Sequence, residues 1–162
     1  MKTIRLTIVA LGLSLFSLTV SAQSASALTA YYSVKDALVA TDAAAAKTSA
    51  TELVSALGAV KTTALSAADE KALTAAKANA LAISKIADVE VQREQSKSLS
   101  TSMIALAKAT KPARRETGST YVQFCPMAAD GKGAFWLSGQ KEIKKPYYGS
   151  KMLKCGSVKE EI

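Results

Sequence analysis

Two short segments, Cys125-Pro126-Met127 and Met152-Leu153-Lys154-Cys155, hold both cysteines and two of the four methionines of a chain that has no histidine. Thiolates and thioethers are soft donors, and a few of them at low coordination number suit a thiophilic ion such as Cu(I). In an extended strand Cys125 and Met127, two apart, face the same way. Met152 and Cys155, three apart, share one side of a helical turn. Where the two segments meet, Cys125, Met127, Met152 and Cys155 would form a metal site built wholly from sulfur. A second chemistry is open to the same cysteines. A disulfide between Cys125 and Cys155 would close a loop of roughly 30 residues and stabilise a small, turn-rich module by about 3–4 kcal/mol. The methionines separate the two readings. Thioethers add nothing to a disulfide and little to a structural zinc site, which wants four Cys or His ligands. Taken singly, each methionine reads as core filler.

Little other chemistry is available. Without histidine, no Ser-His-Asp or Cys-His arrangement can be assembled. The cysteines do not form Cys-x-x-Cys, which disfavours a thioredoxin-type oxidoreductase. Carboxylates sit mostly beside lysines, as solvated helical partners do. Gly131-Lys132-Gly133 reads as a turn, not a phosphate loop. Trp136 and the Tyr147-Tyr148 pair can stack on a ligand, but aromatics in an apolar run usually belong to a core. The expectation is a protein that is not an enzyme.

The compartment decides what two cysteines mean. Lys2 and Arg5 precede an uncharged apolar stretch from Leu6 through Val20, closed by Val20-Ser21-Ala22 before Gln23. That is the layout of a secretory signal peptide over residues 1–22, and the stretch is short for a permanent anchor, which needs roughly 20 apolar residues. A periplasmic or secreted location follows, with no stable membrane insertion once the leader is cut. There a disulfide is the default fate of two cysteines. The net charge of +8 falls to +6 without Lys2 and Arg5, and the excess lies beyond Lys111. In an exported protein that surplus reads as a solvated basic face or a docking site for an acidic envelope partner, with no nucleic acid expected.

The elements that must position the sulfurs divide the rest of the chain, residues 23–162, within a single domain. Residues 23–110 contain one glycine and no proline, whereas residues 111–162 hold all three prolines and both cysteines. Leu28, Tyr31, Val34 and Leu38 recur at helical spacing. A second helix follows Asp42 as N-cap and carries Ala46, Ala50, Leu53, Leu57 and Val60. Ser66 with Asp69 opens a third, with Leu73, Ala76, Ala80 and Ile83 on one face. Asp88 caps a fourth bearing Val89, Leu99, Met103 and Leu106, although one long helix through Asp88 is also compatible with the pattern. The Lys111-Pro112 step ends it. The fold expected is mostly α: an up-down four-helix bundle with a small C-terminal β/turn segment packed against it. In that segment Thr120–Phe124 and Ala134–Leu137 read as strands around a turn at residues 130–133. Gly156–Ile162 reads as an edge strand returning beside Tyr121–Phe124.

The residues Tyr121-Val122-Gln123-Phe124-Cys125-Pro126-Met127-Ala128, Trp136-Leu137-Ser138, Pro146-Tyr147-Tyr148-Gly149-Ser150-Lys151-Met152-Leu153-Lys154-Cys155-Gly156 and Gln92-Arg93-Glu94 resemble an exported bacterial family, domain of unknown function 3347. So does the stretch Tyr32 through Lys47, and the resemblance covers nearly all of the chain beyond the leader. The family's domain occurs alone and fused to periplasmic adaptor subunits of heavy-metal efflux systems. The resemblance therefore implies a stand-alone protein that buffers or delivers copper(I), with a periplasmic efflux component as partner. Relatives carry a histidine shortly after Gln-Arg-Glu. Here Gln95, Ser96 and Lys97 stand there, which shifts any metal role onto sulfur.

Overall fold

The computed structural model describes residues 22–111 and 118–162. Apart from Ala22, the leader expected over residues 1–22 lies outside the described residues, as does Pro112. Four helices come first: α1 over residues 22–39, α2 (Ala43–Ala59), α3 (Ala67–Ile83) and α4 (Val89–Thr110), with a single 3-10 turn (Thr62–Ala64) between α2 and α3. Short connections and contacts between α2 and α3, then α3 and α4, make consecutive helices neighbours in an up-down bundle. No helix among the described residues is long and apolar enough to cross a membrane.

The helices begin where short polar side chains can satisfy orphan backbone N–H groups. Asp42 accepts from Ala45 N at 2.8 Å, and Asp88 Oδ1 accepts from Glu90 N and Val91 N at 2.8 and 3.0 Å. The Asp88 cap separates α3 from α4, so the alternative of one continuous helix does not hold. Ser66 accepts from Asp69 N at 3.3 Å and donates its own hydroxyl proton to the Asp69 carboxylate at 2.6 Å. At the other end of α4, Lys111 takes a left-handed φ of 42° and its N–H bonds Ala107 O.

The expected apolar seams are the core. Leu28, Tyr31, Val34 and Leu38 of α1, Ala46, Ala50, Leu53 and Leu57 of α2, Leu73, Ala76, Ala80 and Ile83 of α3, and Leu99, Met103 and Leu106 of α4 are all buried together. Alanine on the seams lets helices approach closely but removes little apolar area from water per residue. The deficit is met by the C-terminal segment, whose Val122 and Leu137 enter the same cluster.

That segment forms a three-stranded antiparallel sheet in the order β2-β1-β3, with β1 (Tyr121–Cys125), β2 (Ala134–Ser138) and β3 (Ser157–Glu161). The returning edge strand lies where the sequence places it, pairing Tyr121 with Glu161 and Phe124 with Ser157. Strand alternation sends Val122 and Leu137 to the helices. The opposite face buries Cys125, Ala134 and Trp136 in a second cluster with Ala128 and Tyr147. The sheet is thus covered on both sides.

Strand β2 is an edge, and its outward backbone groups need partners. Tyr31 and Tyr147 provide them: Leu137 N donates to the Tyr31 hydroxyl at 3.2 Å, and the Tyr147 hydroxyl donates to Phe135 O. Ser100 on α4 lies between the two phenols, with its Oγ 2.8 Å from Tyr31 and 3.1 Å from Tyr147. Burial pushes the Tyr31 phenol up from 10.0 to about 12, and Tyr147 is also pushed well upward by burial. A raised acid pKa favours the protonated native form, so Tyr31's contribution is intact below about pH 10 and fades as pH climbs through about 12.

Two outcomes are expected from this contact. Tyr31→Phe leaves Leu137 N–H without its buried acceptor and should lower unfolding free energy by about 1–3 kcal/mol in urea titrations at neutral pH. In wild type, tyrosinate absorbance from Tyr31 should develop only together with loss of tertiary structure at strongly alkaline pH. A buried tyrosine ionising near its ordinary value in folded protein would contradict this arrangement.

Candidate functional site: the sulfur pair and its surroundings

Cys125 is the last residue of β1, and its side chain is fully buried against Trp136 and Tyr147. Pro126 then removes a backbone donor and the chain leaves the sheet through a tight turn, in which Ala129 and Asp130 both take positive φ (52° and 54°). The expected strand geometry for Cys125 and Met127 therefore does not hold. Met127 sits in the turn, 57% exposed, while Cys125 points inward.

The second segment is held by backbone contacts and one buried amide. Gln123 Nε2 on β1 donates toward three successive carbonyls, Gln140 O at 2.9 Å, Lys141 O at 3.3 Å and Glu142 O at 3.2 Å. Lys145 N then bonds Leu153 O at 2.9 Å, and Cys155 N bonds Met152 O at 3.0 Å. Met152 lies in a turn, not a helix, with a left-handed φ of 54°, and is 49% exposed. A non-glycine residue held in that region carries backbone strain. Neither methionine is core filler. Both thioethers are at the surface.

Gly156 explains how Cys155 comes alongside Cys125. At its φ of +142°, an added Cβ would lie 2.8 Å from Phe124 O and 3.0 Å from the Trp136 ring. Glycine alone lets the chain run this close to β1. The two thiols, both free, then come together: Cys155 packs against the buried cluster that holds Cys125. The neighbouring Cys125 thiol pushes the Cys155 thiol above its ordinary 9.0, burial adds to the rise, and Lys145 and the Met127 backbone oppose it. Cys155 is partly exposed, so it is the sulfur that solvent can reach.

Lys145 carries no mark in the sequence that would single it out. It is 0% exposed, and its Nζ donates to Cys125 Sγ at 3.8 Å while lying 4.1 Å over the Tyr148 ring. The Tyr148 hydroxyl reaches Met127 O at 3.4 Å, joining the ring to the other sulfur segment. In the sequence Lys145 is one more lysine in a basic stretch. Its only hint is the apolar Pro146-Tyr147-Tyr148 that follows.

The structure thus packs Cys155 against the cluster of Cys125, with the Cys155 N–H bonded to Met152 O. Two adjacent thiols that can lose protons beside a buried ammonium and a backbone N–H can take a soft cation between them, or oxidise to a disulfide. Among the described residues no three or more His, Cys, Asp or Glu side chains gather as a metal group. Further protein donors at this pair would have to be the thioethers.

The helical positions that follow Gln92-Arg93-Glu94 are occupied by structural contacts. Gln95 donates to Asn79 at 2.6 Å, Ser96 to Arg93 O at 2.7 Å, and Lys97 pairs with Glu94 at 2.6 Å. Gln92 and Arg93 before them are buried fasteners. Gln92 Nε2 bonds Ala43 O and Ile86 O at 3.0 and 2.8 Å, and Arg93 Nη2 bonds Leu38 O and Thr41 Oγ1 at 2.9 and 2.8 Å. Arg93 also lies where a Cβ on Gly149 would stand, so a glycine there lets the C-terminal segment seat on α4.

No curated protein and no solved structure matches the chain. A family described as "Protein of unknown function (DUF3347)" matches residues 27–115, which run from within α1 to just beyond α4. The sequence resemblance was drawn over nearly the whole chain beyond the leader. The match carries it across the helices and leaves both sulfur segments outside. With more than half of its residues matched, the chain belongs to the DUF3347 family of proteins of unknown function.

Proposed function

We propose that this protein is an exported carrier of copper(I), taking the ion between the thiolates of Cys125 and Cys155 with Met127 and Met152 as auxiliary thioethers. Its role would be to buffer copper or deliver it to a periplasmic component of a metal efflux system. The observation that carries this reading is the packing of Cys155 against the cluster of Cys125, in a chain without histidine whose Met127 and Met152 are exposed in the adjoining turns. Thiolates suit Cu(I) at low coordination number, and exposed thioethers give an exchangeable ion a route in and out. The leader-like N-terminus supports export, and the family's association with efflux adaptors supports the pathway. Nothing in this role requires catalysis.

The same arrangement favours a second reading, in which Cys125 and Cys155 oxidise to a disulfide and the protein is a non-enzymatic interaction module of the periplasm. Export into an oxidising compartment supports it. The two readings exclude each other in any one molecule at any one time, because a disulfide removes both thiolates.

Reduced protein lacking residues 1–22, titrated with Cu(I) against a competing chelator, should bind far more tightly than micromolar. Binding no better than micromolar would end the carrier reading. Met127→Leu combined with Met152→Leu should weaken binding by roughly tenfold, equivalent to about 1.4 kcal/mol of lost coordination. Because the Cys155 thiol is held above its ordinary value and loses its proton to the metal, apparent affinity should rise by at least tenfold per pH unit between about pH 6 and pH 8.

Alkylation followed by mass measurement separates the two states. Free thiols should label first at the partly exposed Cys155 and at the buried Cys125 only after unfolding. Protein from an oxidising compartment that takes no label, and that loses about 3–4 kcal/mol of stability on reduction, would be the stapled module instead.

A further inference from the structure

We propose that Lys145 sets the charge of the ion that the sulfur pair accepts, favouring a monovalent thiophilic cation such as Cu(I) or Ag(I) over a divalent one such as Cd(II) or Zn(II). The inference rests on the carrier reading above and assigns its selectivity to a residue outside the ligand set.

Two lysines are buried in this molecule's described residues, Lys35 and Lys145. Lys35 pairs with Asp36 at 2.5 Å. Among the described residues no carboxylate lies within ion-pair reach of Lys145. Its nearest counter-group is the Cys125 sulfur at 3.8 Å, and the face of Tyr148 supports the ammonium from 4.1 Å. The Lys145 N–H to Leu153 O bond, at 2.9 Å, fixes the main chain from which the side chain enters. The ammonium is therefore held beside the pair and does not depend on solvent to place it.

Charge then decides between ions. Two thiolates around a monovalent cation leave one net negative charge, which the Lys145 ammonium cancels. Two thiolates around a divalent cation are already neutral, and the ammonium would remain as an unbalanced positive charge next to the metal. At the buried end of the pair, where Cys125 and Lys145 are both 0% exposed, that imbalance is costly, whereas in water it would be screened. Lys145 is in this sense a positioning charge and not a ligand, because an ammonium has no lone pair to offer.

The test compares Ag(I) and Cd(II) as probes on the reduced protein, each against a competing chelator, in wild type, Lys145→Gln and Lys145→Arg. Lys145→Gln should weaken Ag(I) and strengthen Cd(II), lowering the ratio of the two affinities by about tenfold or more. Lys145→Arg, which keeps the charge, should restore most of the ratio. Tyr148→Leu, at a partly exposed position, removes the ring that holds the ammonium and should lower the ratio a few-fold even where Lys145→Gln fails to fold. Equal weakening of both ions in Lys145→Gln would mark a packing role only and overturn the proposal, as would an unchanged ratio in Tyr148→Leu. Wild-type protein that binds Ag(I) tightly while the ratio stays fixed in the variants leaves the sulfur site standing and removes only Lys145's part. Wild-type protein that binds neither ion removes both.

Discussion

The hydroxyl bridge from Tyr31 through Ser100 to Tyr147 is the contact on which the rest of the arrangement depends. It ties α1, α4, strand β2 and the loop between β2 and β3 at one buried point. An edge strand buried against helices cannot turn its free N–H and C=O toward water, so each has to find a protein partner. The two tyrosines meet that need and also contribute ring area, Tyr31 in the helical core and Tyr147 edge-on to Trp136 at 6.0 Å between centroids. A bundle with alanine-rich seams gains modestly from apolar burial. Directional bonds of this kind fix how the sheet sits on it, and through the sheet they fix where Cys125 and Trp136 lie.

Much of this architecture is written locally. The helical seams can be read because each repeats at three and four residues, and the caps because Asp42, Ser66 and Asp88 act on backbone groups two or three residues away. The β3 return can be read from the turn residues before it. What escapes the sequence is long-range. Gln92, Arg93, Ser96 and Ser100 lie on the buried face of α4, where a polar residue looks like solvent-facing punctuation until its distant partner is known. Gln123 and Lys145 belong to the same class, buried polar groups whose partners come from another loop. Met127 differs from expectation for a local reason: Pro126 ends the strand one residue too early for a two-residue alternation to apply.

The motif Gln92-Arg93-Glu94 shows how a family feature can be conformational instead of chemical. Arg93 closes the α1–α2 corner through Leu38 O and Thr41, pairs with Glu90 at 2.5 Å, and faces Gly149 of the C-terminal segment. Gln92 joins the start of α2 to the chain between α3 and α4. These are the joints of the bundle, and they fall inside the region that defines the family. The sulfur pair lies outside that region, on a segment that the bundle supports from below. The part that matches the family is thus the platform, and the sulfur pair sits on what it carries.

The register of β3 against β1 has a mechanical consequence. Phe124 pairs with Ser157, which places Cys155 just upstream of the strand's first rung and Cys125 just past the last rung of its neighbour. Any bond formed between the two sulfurs, through an ion or directly, acts as a clasp on the final stretch of the chain. Formation of such a bond and docking of the C-terminal ribbon are one linked equilibrium, so whatever peels the ribbon away also opens the clasp.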